Sequence, residues 1–202
     1  MTAPDLTGVV LAGGESSRFE GGDKALATVD GRPLVRHVVT ALERATGRPP
    51  VVVVRDARCE ERYANVLPAH VRFARDDERF EGPLAGLLGG LDAAETGWVF
   101  AAGCDMPGLS PAAVEWLAER RGSTVGGVAV RPPGGVRESL HALYAVEAAL
   151  SVRSALPRAA GPQALLDELA VRDVPPSEAP PTVDLAASLA NVNTRADLVA
   201  FE

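Results

Sequence analysis

Lysine is nearly absent from this 202-residue chain: of its 20 basic side chains only Lys24 is one. Arginine meets every other need for positive charge, so the single compact, mobile ammonium stands out as a candidate phosphate ligand. A lysine-depleted genome would leave a survivor anywhere, and the neighbouring residues must decide between these readings. Cysteine is scarce too. Cys59 and Cys104 have no second thiol close in sequence, which excludes a disulfide framework and a CxxC metal site and fits a reducing cytoplasm. The net charge of -7, with aromatics at only 4% and no basic-aromatic stripe, argues against nucleic acid or an anionic membrane as partner. No apolar run approaches the ~20 residues that span a bilayer, and MTAPDL lacks the basic start of a signal peptide. The chain therefore reads as soluble and unprocessed.

What is present is a substantial hydrophobic fraction, 47%, enough for one large core over residues 1–202. Short β-branched runs alternate with amphipathic stretches: GVVLAG, PLVRHVVTALERA, VVVVR, then GWVFAAGCD and PAAVEWLAER. This is the rhythm of βαβ units. Continuously apolar strands such as Val51 to Val54 imply burial on both faces, which predicts a three-layer α/β/α sandwich around a mostly parallel sheet. PLAGLLGGLDAAE puts Leu84, Leu87, Leu88 and Leu91 on one helical face. Gly86, Gly89 and Gly90 lie inside the same helix at about 1 kcal/mol each relative to alanine, which suggests close approach of its backbone to the sheet, to a ligand or to another helix.

Beyond about residue 126 the pattern loosens. GGVAVRPPGG reads as a strand and turn, ESLHALYAV as a strand leading into a helix, and the proline cluster at 175–182 as a surface loop. In NVNTRADL, Thr194 is placed to cap a short final helix with Asp197 at its third position.

Three stretches carry candidate chemistry. The first strand ends at Leu11, and Ala12, Gly13 and Gly14 turn the chain where α/β proteins bind ligands, with backbone N–H groups free to cradle phosphates. Arg18 and Lys24 follow as charges for a triphosphate, although neither GxxxxGK with a following Ser or Thr nor GxGxxG is present. A glycine turn with solvated charges is the plainer alternative. In VFAAGCDMPGLSP a buried strand hands Asp105 to the same edge. A lone carboxylate there suits Mg²⁺, which takes one or two carboxylates plus substrate phosphates, or equally a helix cap. Cys104 reads as a small strand residue, since no basic neighbour lowers its pKa. In FARDDERFEGPLAG, Asp76 or Asp77 ends a strand and Gly82-Pro83 opens the glycine-rich helix. A carbonyl or carboxylate here could read the N–H donors of guanine; Asp77, Glu78 and Arg79 also suit a solvated loop. His37 reads as surface or packing.

Together, LAGGESSRFEGGDKALATVDGRPL, EGPLAGLLGGL, GCDMP and NVNTRADL resemble the MobA family, the molybdenum cofactor guanylyltransferases. The likeness is dense through residue 121 and sparse over 122–188. It implies a Rossmann-like nucleotidyltransferase fold that joins GMP from GTP to the phosphate of molybdopterin, releases pyrophosphate and requires Mg²⁺, with other cofactor-biosynthesis proteins as partners. Residues 1–121 would form the nucleotide half and 122–202 the acceptor half. By position, Leu11, Ala12, Gly13, Gly14, Asp76, Gly82 and Pro83 would bind nucleotide. Lys24 and Arg18 would take the phosphates and Asp105 the magnesium, the three making up the catalytic set. Asn191 and Asn193 would face the acceptor; His141, in ESLHALY, is spare to the chemistry and a candidate to line the acceptor site.

The second half departs from that pattern. Ser139 precedes Leu140 where such proteins usually carry proline, and GPQALLDEL lacks the expected basic residue after its glycine, a charge that Arg131, Arg137, Arg153 or Arg158 could replace. Rival readings are a CTP-dependent sister enzyme, transfer to another phosphorylated small molecule such as a sugar phosphate, and a catalytically silent carrier of nucleotide or molybdopterin.

Overall fold

The structure, a computed structural model, describes residues 5–14, 19, 22–199 and 201. Strand β1 (Thr7–Leu11) is followed by a small hairpin, β2 (Thr28–Val29) and β3 (Arg32–Pro33), then helix α1 (Leu34–Thr46), β4 (Val51–Val54), α2 (Ala57–Ala64) and β5 (Arg72–Arg75). Next come α3 (Gly82–Asp92), β6 (Trp98–Gly103), α4 (Pro111–Ala118), β7 (Gly127–Val130) and β8 (His141–Ala145). The chain continues through α5 (Val146–Ser151), α6 (Pro162–Asp167), β9 (Val171–Val174), α7 (Leu185–Leu189) and α8 (Arg195–Val199).

Seven strands form one sheet in the order β5-β4-β1-β6-β8-β7-β9. Only β8 runs against the rest, antiparallel to both β6 and β7. Strand alternation sorts the core into two layers. Val10, Val52, Val54, Phe100 and Ala102 face α1 and α4, whereas Val9, Leu11, Val51, Val53, Val99 and Ala101 face α3, α5 and α6. The three-layer sandwich with a mostly parallel sheet is therefore what forms, and one continuous sheet runs through both halves of the chain.

Helix α1 shows why its sequence folds as it does. Leu34, Val35, Val38, Val39, Leu42 and Ala45 recur at helical spacing and are all buried, and Gly47 ends the helix in the left-handed region at φ 68° with its N–H on the Glu43 carbonyl at 2.8 Å. Helix α3 departs from the expectation of a single apolar face. It is buried nearly all round, because Ala85, Gly86, Gly89 and Gly90 are covered as fully as its leucines. The glycines let its backbone lie on β5 and β1: a Cβ on Gly90 would come within 2.4 Å of Val9 Cγ1.

The second half is more regular than its sequence suggests, since α6 and β9 complete the sheet's far edge. The 175–182 stretch holds one short 3₁₀ turn, Pro176–Glu178. At the C-terminal end, Thr194 Oγ1 accepts from the Asp197 N–H at 3.3 Å, and Asp197 Oδ2 accepts from the N–H groups of Asn193 and Thr194 at 2.7 Å. This is the reciprocal cap expected for that helix.

Candidate functional site

Consecutive parallel strands β1, β4 and β5 step to one side, and β6 is then laid on the other side of β1. That reversal opens a crevice at the carboxyl ends of β1 and β6, the place where open α/β sheets receive ligands. A cavity of about 600 Å³ occupies it.

Each wall of the cavity has a local cause. Hydrogen bonding along β1 persists one step past the strand, with Cys104 N donating to Leu11 O at 3.1 Å and Ala12 N to Val53 O at 2.9 Å. The chain then leaves the sheet through Gly13 and Gly14, and Leu11, Ala12, Gly13 and Gly14 all line the cavity. A Cβ on Gly13 would stand 2.8 Å from Asp76 Oδ2, so glycine here lets the Asp76 carboxylate close the opposite wall without being displaced. Gly82, at φ 63°, turns the chain into α3, and with Pro83 and Gly86 it completes that wall.

Lys24 begins a single 3₁₀ turn, Lys24–Leu26, capped by Asp23. Its Nζ donates to Asp105 Oδ2 at 2.7 Å and to Asn193 Oδ1 at 2.9 Å. Asp105 follows β6 directly, and its backbone carbonyl accepts from Val192 N at 2.8 Å, which ties the Asn191–Asn193 segment to the same corner. Two motifs, 81 and 169 residues from Lys24, thus converge on its one ammonium group.

All nine residues expected at the nucleotide, Leu11, Ala12, Gly13, Gly14, Lys24, Asp76, Gly82, Pro83 and Asp105, line the cavity. Arg18 lies outside the described residues. Asn193 reaches the site through Lys24, and Asn191 is exposed beside it. Of the two aspartates in ARDD, it is Asp76 that immediately follows β5. Its Oδ1 is buried with no hydrogen-bond partner, and burial pushes its carboxyl above the usual range, opposed by the charge of Arg55. Such an oxygen is costly unless a donor arrives to meet it.

Sequence reasoning missed Asp23, Arg55, Tyr63 and Leu140 as lining residues. Arg55 was available as the residue ending VVVVR at a sheet edge. Tyr63 sits on α2, whose start was signalled by Asp56: its Oδ1 caps the Cys59 N–H at 2.8 Å.

His141 is a correction. It is fully buried, its Nε2 lies 2.8 Å from Ser188 Oγ, and its ring meets the Phe100 ring edge-on at 5.1 Å. It packs β8 against α7 and does not line the cavity, so it does not serve as an acceptor contact. None of the four arginines considered for the missing basic charge lines the cavity either. Arg131 and Arg137 bind Asp173 at the far edge of the sheet, Arg158 binds Glu81, and Arg153 joins Asp77 to Asp92. Asp77 is accordingly no solvated loop residue. Burial alone would raise its carboxyl, but hydrogen bonds from Arg79 and Arg153 outweigh burial and hold it down to about 2. His37 bonds the Val29 carbonyl at 3.0 Å, a packing role. Burial, helped by the Asp105 charge, pushes the Cys104 thiol up to about 12, which keeps it from acting as a nucleophile.

The buried His141 has a consequence for stability. Burial lowers its pKa to about 4, from an ordinary 6.5, so the unfolded chain takes up a proton that the folded chain refuses. Its neutral form therefore supports the fold fully above pH 6.5, and that support is lost as pH falls toward 4. The slope is about 1.4 kcal/mol per pH unit, on the order of 2 kcal/mol by pH 5. Urea unfolding at pH 7.5 and pH 5 is expected to show this loss in the wild type and a smaller one in His141→Gln. Equal losses in both proteins would assign the pH dependence elsewhere.

The mostly parallel sheet, with its crevice at the carboxyl ends of β1 and β6, defines an α/β protein of the nucleotidyltransferase fold. The family model of the MobA-like NTP transferase domain matches residues 8–174, and the chain belongs to that family. It is 43% identical over 108 residues to a molybdenum cofactor guanylyltransferase of Burkholderia vietnamiensis, covering 52% of this chain and 51% of that one. It is 38% identical over 144 residues to a probable molybdenum cofactor guanylyltransferase of Natronomonas pharaonis, covering 71% and 69%. The chain thus spans about half the length of relatives such as the Burkholderia protein. Among solved structures, the molybdopterin-guanine dinucleotide biosynthesis protein A of Archaeoglobus fulgidus superposes with a TM-score of 0.79 at 25% identity, over 97% of this chain and 96% of that one. No helix among the described residues is long and apolar enough to cross a membrane.

Proposed function

We propose that the chain transfers GMP from GTP to the terminal phosphate of molybdopterin, releasing pyrophosphate. One observation carries the reading: the ammonium of Lys24 and the carboxylate of Asp105 meet at 2.7 Å beside the glycine turn of one cavity. Family membership supports the reaction class, and the relatives named as molybdenum cofactor guanylyltransferases support the substrates.

In this reading the nucleotide lies across the carboxyl ends of β1 and β6. The unpartnered Asp76 carboxylate accepts from the N1–H and N2–H₂ groups of guanine, a paired set of donors that cytosine does not present. The backbone of Gly13 and Gly14 receives the phosphates without a Cβ in the way. Lys24, leaving Asp105, neutralises charge at the α-phosphate and the departing pyrophosphate. An oxygen of the acceptor phosphate attacks the α-phosphorus in line, one P–O bond forms, and the bond to pyrophosphate breaks. That oxygen is already anionic near neutral pH, so no general base is needed, and none is asked of His141 or Cys104. Residues 191–193, bound to Asp105 and Lys24, form the acceptor side.

Asp105 would hold Mg²⁺. The donor set fits: Asp105 brings one carboxylate to the cavity, and this ion normally takes one or two carboxylates together with substrate phosphates. Bound there, the ion supplies further neutralisation of the phosphate oxygens.

Pyrophosphate release by the purified protein with Mg²⁺ and molybdopterin, comparing GTP with CTP, tests the reading. GTP-dependent release with the guanine dinucleotide as product is expected, and Asp76→Ala is expected to raise the GTP KM about tenfold or more, the cost of one buried charged hydrogen bond. Preference for CTP would overturn the base assignment and keep the mechanism. Release with neither nucleotide would overturn the acceptor.

A further inference from the structure

The Tyr63 hydroxyl is buried on α2, outside every motif that marks the site, yet it lies at the cavity. Its single proton is shared between acceptors of two segments, each distant from Tyr63 in sequence: the Ala12 carbonyl, 3.1 Å away just past β1, and the Asp23 carboxylate, 2.9 Å away at Oδ2 and 3.1 Å at Oδ1. Arg62, one residue earlier on α2, adds an ion pair to Asp23 Oδ2 at 2.9 Å. Asp23 in turn fixes the start of the Lys24 turn, accepting from the Ala25 N–H at 3.1 Å through its side chain and from the Leu26 N–H at 3.0 Å through its carbonyl. The Asp23 side chain is only 10% exposed, so its hold on the turn is little screened by water. Burial, followed by the Asp23 charge, raises the Tyr63 pKa, and the phenol stays a neutral donor throughout the working range of pH.

We infer that Tyr63 is a positioning residue that sets Lys24 over the cavity by stapling Asp23 to the end of β1. The inference rests on the reading of Lys24 as the phosphate ligand. Packing alone explains the buried ring, whereas it does not explain a hydroxyl shared between the end of β1 and Asp23, the residue that caps the Lys24 turn. Without the hydroxyl, Asp23 keeps Arg62, an exposed partner, and the Lys24 turn loses its anchor to β1.

The chain's single lysine makes the test direct. The acetylation rate of Lys24 by an amine-reactive ester, followed by mass spectrometry with the α-amine as internal reference, reports how firmly that side chain is held without any substrate. Tyr63→Phe and Asp23→Asn are each expected to speed Lys24 acetylation at least about threefold relative to the α-amine. Their melting temperatures, measured in parallel, are expected to stay close to that of the wild type. The affinity for Mg·GTP is then compared in wild type, Tyr63→Phe, Lys24→Ala and the double variant. A staple acting through Lys24 predicts weaker binding in Tyr63→Phe and little further loss when it is added to Lys24→Ala. Wild-type acetylation rates in both Tyr63→Phe and Asp23→Asn would overturn the staple. So would full additivity of the two binding losses. Wild-type affinity and turnover in Lys24→Ala would instead overturn the role of Lys24, and the staple's function with it.

Discussion

Lys24→Ala is expected to lower turnover on the order of a hundredfold, and at least about tenfold, while leaving the fold standing. The magnitude follows from what the ammonium meets as charge shifts toward pyrophosphate: a preorganised cation inside a crevice is worth far more than the same charge in water. Stability is a separate matter. The side chains of Lys24 and Asp105 are 15% and 26% exposed, so their pair contributes on the order of 1 kcal/mol, too little to unfold a core of this size. Lys24→Arg is not expected to restore activity, because a planar guanidinium neither fits between Asp105 and Asn193 as a point charge nor swings as freely. Asp105→Ala is expected to cost a similar factor, and the double variant little more than either alone, since both act on the same phosphates. Steady-state kcat with thermal melts on each variant checks this. A folded Lys24→Ala within about threefold of wild type would remove Lys24 from the machinery.

The parts of this site that were legible in sequence share one property: their chemistry restricts the residue type. Gly13 and Gly14 stand out because a backbone must come close. Asp105 stands out as a carboxylate at the end of a strand buried on both faces, and Lys24 because nothing else in the chain is a lysine. The parallel layers were legible for a related reason, since runs such as Val51 to Val54 cannot be half-exposed. What escaped notice depends on contacts between distant segments. Helix α2 is short and mostly charged, with Cys59 and Tyr63 its only buried side chains, so no apolar stripe announced it or the phenol it carries. Arg153 looked like a free cation, yet it is held by Asp77 and Asp92 from 76 and 61 residues away. His141 looked like a polar residue near the acceptor because its partner, Ser188, lies 47 residues away on α7, a helix of five residues with no strong pattern of its own.

Gly89→Ala, in the helix that carries the Gly86 wall of the cavity, is expected to be strongly destabilising for so small a substitution, by about 3 kcal/mol or more. Two effects oppose each other. Alanine improves the intrinsic stability of α3 by about 1 kcal/mol over glycine. Against this, a Cβ at Gly89 would stand 2.0 Å from the Arg75 carbonyl oxygen and 3.0 Å from its carbon. Both contacts are with backbone of β5, so no side chain can rotate out of the way, and the helix must lift from the sheet edge. The steric term therefore wins. Lifting α3 also draws Gly86 and the Gly82-Pro83 turn away from Asp76, so any molecules that fold are expected to bind GTP more weakly. Gly97 provides the contrast: its nearest neighbour would be Asp5 Oδ2 at 4.0 Å, and Gly97→Ala is expected to stay within about 0.5 kcal/mol of wild type. Chemical denaturation of both variants reads the difference. If Gly89→Ala proved as stable as Gly97→Ala, the glycines of α3 would not be there for close approach to the sheet, and the fixed position of the Asp76 wall would need another cause.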